Sequence, residues 1–162
     1  MNWEAASAIS EIVGSGAVLV TLIYLALQIR QNTVSVQAST RQAMLQEDQL
    51  FISRGMDDPE LIMLRFKPDL TDEEKIRVNT YLITFFRIRE SNWRQYRSGV
   101  LDEATWASYR GAFRSFASKR VRAWLDSDLI TPMFDPEFLA MVKEFLAKCP
   151  DRERPVWLDA LA

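Results

Sequence analysis

The chain has 162 residues, with 20 Lys and Arg against 22 Asp and Glu, and so a formal net charge of −2. It contains no histidine and one cysteine, Cys149, which excludes histidine bases, zinc sites, histidine-ligated haem and any intramolecular disulfide. With 48% hydrophobic and 26% charged residues, five Gly and six Pro, the composition excludes extensive disorder and favours helices over a sandwich or barrel.

The first element in the chain is EIVGSGAVLVTLIYLALQIR, residues 11–30, in which the 18 positions between Glu11 and Arg30 carry no charge. As a helix these residues rise about 27 Å, slightly less than a hydrocarbon core of roughly 30 Å. Ala5, Ala8 and Ile9 can extend the run. Val18, Leu19, Val20, Leu22, Ile23, Leu25 and Leu27 point all round the axis, and a helix apolar on every side needs lipid or protein around it. A secretory leader would carry Lys or Arg ahead of the run. Glu4 and Glu11 stand there instead, so residues 1–30 are expected to remain in the protein as a transmembrane anchor. Arg30 and Arg41 follow the run and no cation precedes it, which orients the N-terminus outside and residues 31–162 in the cytoplasm. Trp3 and Tyr24 suit the two membrane interfaces. Ala6, Ser10 and Gly14 recur every four positions, with Ala17 one turn on, and such a strip of small residues lets two helices approach closely in lipid. The partners expected from this segment are the bilayer, further copies of the chain and, as a possibility, another membrane protein.

Beyond Arg30 no helix breaker occurs before Gly55, so the first helix is expected to continue as a polar extension with a broken apolar stripe of Val34, Ala38, Met44, Leu45 and Phe51. DDPELIMLRF starts a helix, with Asp58 as N-cap and Pro59 at its first position. The strongest helix follows: Thr71 and Glu74 form a capping box, Gly99 ends it in a left-handed turn, and Val78, Leu82, Phe85, Phe86, Trp93 and Tyr96 face the core. Further helices are expected after Asp102, Ser118 and Asp135, and PVWLDALA suits one closing turn. The fold class read from these signals is all-α: a long N-terminal transmembrane helix running into a compact bundle of about five further helices, residues 31–162.

Several segments taken together, NWEA, LIYLALQIRQNT, DDPEL, YRSGVLDEATW and FDPEF, resemble a broad set of uncharacterised small bacterial proteins with one N-terminal hydrophobic helix and a helical C-terminal domain. The resemblance covers most of the chain. It implies a bacterial protein of the inner membrane and brings no activity, cofactor or catalytic residue with it.

No catalytic motif emerges. GSG at residues 14–16 follows no strand, so it is not a dinucleotide fingerprint. The serines lack a histidine base, and Glu-x-x-His pairs are impossible. Cys149 precedes Pro150 at a helix end, where the negative end of the dipole opposes thiolate formation. No metal or cofactor is expected.

Charge is unevenly spread. Residues 75–122 carry eleven Lys and Arg against three acids, between two acidic flanks. This pattern reads either as internal charge balance or as a basic face for anionic lipid. Candidate lipid contacts are Arg110, Arg114, Lys119, Arg120 and Arg122, interleaved with Tyr109, Phe113, Phe116 and Trp124. Nucleic acid is not an expected partner for an anchored, net-acidic chain. Arg87, Arg89, Glu90, Arg94 and Arg97 form a second constellation: a buried polar network, a site for an anionic ligand, or a surface salt-bridge array beside the core aromatics. The function expected is a non-enzymatic, membrane-anchored protein that self-associates as a scaffold or interaction module. Two alternatives are a pore or transport subunit sparsely lined by Ser15, Thr21 and Gln28, and a soluble ligand-binding bundle or enzyme whose first helix is buried in an oligomer.

Overall fold

The computed structural model describes residues 3–155 and Leu158. Among them there is no strand, and the protein is all-α. Six helices follow one another: α1 (Trp3–Asp57), α2 (Pro59–Leu64), α3 (Asp72–Arg97), α4 (Glu103–Gly111), α5 (Lys119–Leu125) and α6 (Pro136–Ala147). Short 3-10 turns occupy Ala112–Phe116 and Thr131–Met133. The long apolar N-terminal helix and the helical remainder are both as expected. The closing turn expected over PVWLDALA lies outside the described residues, apart from Pro155 and Leu158.

The chain divides into two compact units between Arg41 and Gln42, inside α1. In the first unit, residues 11–36 are exposed on every side of the helix. The second unit holds an aromatic core. Phe86 is wholly buried, with ring centroids of Phe85, Phe113, Trp124, Phe116 and Phe134 between 5.2 and 6.4 Å away. Trp106, Phe113 and Phe138 are equally enclosed. Val78, Leu82, Phe85 and Trp93 of α3 face this core, and Tyr96 packs at its edge.

Local signals start these helices as expected. Asp58, Asp102, Ser118 and Asp135 each accept from a backbone N–H of the first turn. Thr71 and Glu74 complete a reciprocal capping box, satisfying two donors that would otherwise be orphaned. Gly99 takes φ 78°, the left-handed conformation that suits glycine, and α3 ends there.

Two expectations about α1 are corrected. Gly55 does not break the helix, which runs on to Asp57 and yields only before Pro59. Gly55 is buried, and a Cβ on it would meet Ile62 Cδ1 at 3.0 Å, so its bare backbone makes room for the start of α2 to fold back. The inner face of this stretch is Met44, Asp48, Phe51 and Gly55, whereas Val34, Ala38 and Leu45 are exposed. α4 tightens to a 3-10 turn from Ala112.

The paired carboxylates give the fold a pH dependence. Hydrogen bonds from Arg77 to Asp58, from Lys67 to Glu74, from Lys75 to Asp72 and from Lys148 to Glu144 hold these carboxyls below their usual range. A carboxylate depressed in the folded state adds stability above its unfolded pKa and loses it as pH falls through the folded value. The thermal midpoint of the purified protein is therefore expected to be flat between pH 5 and 7 and to drop below about pH 4. The drop should shrink in high salt, because Asp72 and Glu144 are open to solvent and Asp58 and Glu74 are only half-buried. A midpoint that rose on acidification would contradict this assignment.

Candidate functional site

The apolar stretch of α1 comes first. Among the described residues there is one helix long and apolar enough to cross a membrane, and none of its most apolar 18-residue window is buried. The hydroxyls inside it are already used. Ser15 donates to the Glu11 and Ile12 carbonyls at 2.8 and 3.0 Å, and Thr21 donates to Ala17 at 2.8 Å. Such back-bonding lets a hydroxyl sit in an apolar helix without an unmet donor. It also leaves those two hydroxyl protons engaged rather than offered to a polar lining. Of the small-residue strip, the side chains of Ala6 and Ser10 lie outside the described residues. Gly14 opens on free space, with nothing within 4 Å of an added Cβ, and Ala17 is exposed. Trp3, before the run, and Tyr24, within it, are both exposed.

The five basic candidates of residues 110–122 separate by role. Arg114 and Lys119 are exposed. Arg110 reaches Glu103 at 3.6 Å. Arg120 turns inward: it donates to the carbonyls of Leu64 and Arg65 through Nη1 and of Lys67 and Pro68 through Nη2, at 2.6–3.2 Å. These carbonyls lie at and just beyond the C-terminus of α2, where a cation is favoured. Arg122 does the same for α6, donating to Leu146 and Cys149 at 2.7 and 2.8 Å and pairing with Asp151. Sequence reasoning missed both clasps, because the partners lie 24–56 residues away and nothing local announces them.

The second constellation divides into three arrangements. Glu90, with a side chain 4% exposed, accepts from Arg87 at 3.0 Å, from Arg94 at 3.1 Å and from the Asp135 N–H at 2.7 Å. It thereby ties α3 to the start of α6. Arg89 makes a two-pronged pair with Asp48 at 3.2 and 2.7 Å, between the rings of Phe85 and Tyr109. Arg97 pairs with Glu137 at 2.6 Å on the surface. Together with Arg77, which bonds Asp58, and Arg122, which bonds Asp151, these contacts join the basic middle of the chain to both acidic flanks. Of these pairs the exposed Arg97–Glu137 bridge adds little stability.

Chemistry is sparse elsewhere. Among the described residues no group of three metal-capable side chains converges. Cys149 is half-buried, with Sγ donating to the Phe145 carbonyl at 3.4 Å. A groove of about 970 Å³ runs between α3 and α5, walled by Leu70, Ile76, Leu82, Trp124, Ile130 and Met133. Its tryptophan N–H is already committed to Asn79 at 2.7 Å.

No protein-family model matches this chain, and neither a curated protein nor a solved structure matches it.

Proposed function

We propose that the protein is a non-enzymatic, membrane-anchored helical protein that self-associates and acts as a scaffold or interaction module. The observation that carries this reading is the apolar stretch of α1 between Glu11 and Arg30, residues 12–29, exposed on every side of the helix. A run of this length cannot stay in water: each Leu, Ile or Val left exposed forgoes about 1.5–3 kcal/mol of transfer free energy. Lipid around the helix removes that cost. Arg30 and Arg41 on its C-terminal side support a cytoplasmic helical domain with the N-terminus outside, and the resemblance to small bacterial proteins supports the inner membrane as its place. The open backbone at Gly14, in register with Ala17, supports close pairing of two such helices.

Carbonate washing of membranes from expressing cells is the direct test. The chain is expected to stay in the pellet, and recovery in the supernatant without detergent would overturn the anchor. For self-association, the full chain in mild detergent is expected to run as a defined oligomer. Gly14→Leu should weaken it on the order of tenfold, because a bulky side chain separates the backbones. An oligomer unaffected by Gly14→Leu and Ser10→Leu would place the contact elsewhere.

A further inference from the structure

Within the second unit, a pocket of about 460 Å³ opens between the 3-10 turn Ala112–Phe116 and the last turn of α6 with the residues that follow it. That volume falls within the range of about 300–1,000 Å³ typical of small-molecule sites. Its lining holds three cations, Arg114, Lys148 and Arg152, and no carboxylate. Phe145, Cys149 and Pro150 complete the wall. The two sides are braced. The Arg152 N–H donates to the Ala117 carbonyl at 2.7 Å, and the Phe145 ring lies 6.0 Å from the enclosed ring of Phe113.

Positive charge is in excess around this pocket. Residues 112–122 carry four Lys and Arg and no acid, and residues 144–154 carry three of each sign, which leaves a surplus of four positive charges across the two walls. Arg114 is exposed and enters none of the side-chain hydrogen bonds or ion pairs among the described residues. Lys148 pairs with Glu144 at 2.6 Å, but the two side chains are 73% and 71% exposed. Such a pair adds little and yields to a competing anion. The C-terminal end of α6 would by itself repel an anion. Arg122 already covers that end, donating to the Leu146 and Cys149 carbonyls at 2.7 and 2.8 Å.

We propose that this pocket binds an organic phosphate monoester, with the phosphate held by the Arg114 guanidinium together with Lys148 and Arg152 and the organic part against Phe145 and Pro150. A guanidinium fork matches two oxygens of one phosphate, and a lysine adds a mobile point charge. A dianion answers the surplus of charge better than a monocarboxylate does. The ring and the proline favour an apolar substituent over bare phosphate. This inference concerns the helical domain and holds whether or not α1 crosses a bilayer.

The test uses the full chain in micelles of a non-ionic detergent, titrated by calorimetry at low salt with benzyl phosphate, inorganic phosphate and benzyl alcohol. Benzyl phosphate is expected to bind saturably at one per chain, inorganic phosphate more weakly, and benzyl alcohol not at all. Arg114→Gln should weaken benzyl phosphate about tenfold, the size of one charge-assisted hydrogen bond, and Lys148→Gln should weaken it in the same direction. Both side chains are exposed, so neither change disturbs the core. Arg54→Gln removes the same charge from an exposed position on α1 and should leave binding as it was. Doping the micelles with a short-chain phosphatidic acid separates the two sources of such a phosphate. Competition with benzyl phosphate marks a lipid head group, and its absence marks a soluble ester. The proposal is overturned if benzyl phosphate does not saturate, if inorganic phosphate or benzyl alcohol binds as tightly, if Arg114→Gln binds like the unaltered chain, or if Arg54→Gln weakens binding equally.

Discussion

Phe86→Ala is expected to lower the unfolding free energy by about 3–5 kcal/mol, the range for removing a large aromatic from a close-packed core. Phe86 is fully enclosed, and five aromatic rings surround it. These rings come from α3, α5 and the segments on either side of α5, so they cannot all move inward when the side chain is removed. Edge-to-face contacts with Phe85 and Phe134 are lost as well as buried area. Trp124, 5.5 Å from Phe86, supplies a fluorescence reporter for urea titration. A loss below about 1 kcal/mol would mean that this core is less tightly packed than described.

Asp48→Ala should cost about 3 kcal/mol, because it strands the buried guanidinium of Arg89. The pair is short and two-pronged, and the Arg89 side chain is 7% exposed. Asp48→Asn keeps an acceptor and should cost less. Pairing Asp48→Ala with Arg89→Met should recover most of the loss, since an apolar replacement of a whole buried ion pair is often nearly neutral. A double-mutant cycle in chemical denaturation measures this directly. Strictly additive losses would show that the two side chains do not depend on each other.

The helix starts were legible because their chemistry is local. Asp58, Thr71 with Glu74, Asp102, Ser118 and Asp135 each bond a backbone group two or three residues ahead. The apolar part of α3's core face was legible from its helical period, whereas the burial of Arg89, Glu90 and Asn92 on the same helix was not. The inner face of α1 beyond Arg41 was not, because a charged residue, Asp48, occupies one of its positions and Gly55 another. Asp48 reads as a solvated side chain until its partner 41 residues later is known. Arg120 and Arg122 were read as part of a basic surface for a similar reason: only the folded chain brings distant carbonyls to them. The apolar stretch of α1 was plain from the sequence alone, whereas the buried cation at Arg65 had no local signal. The surrounding LIMLRF, residues 61–66, does not reveal that Arg65 lies under Phe116.

Arg120 and Arg122 sit two positions apart on the seven-residue α5, yet one reaches back to the end of α2 and the other forward to the end of α6. A short peg thus fastens the ends of two helices whose starts are held elsewhere, by Arg77 at Asp58 and by Glu90 at Asp135. Loosening it should let go of both at once. In amide hydrogen exchange, the protons of α2 and α6 would then open in concert when α5 unwinds, and the helical domain would lose its early and late segments in a single step.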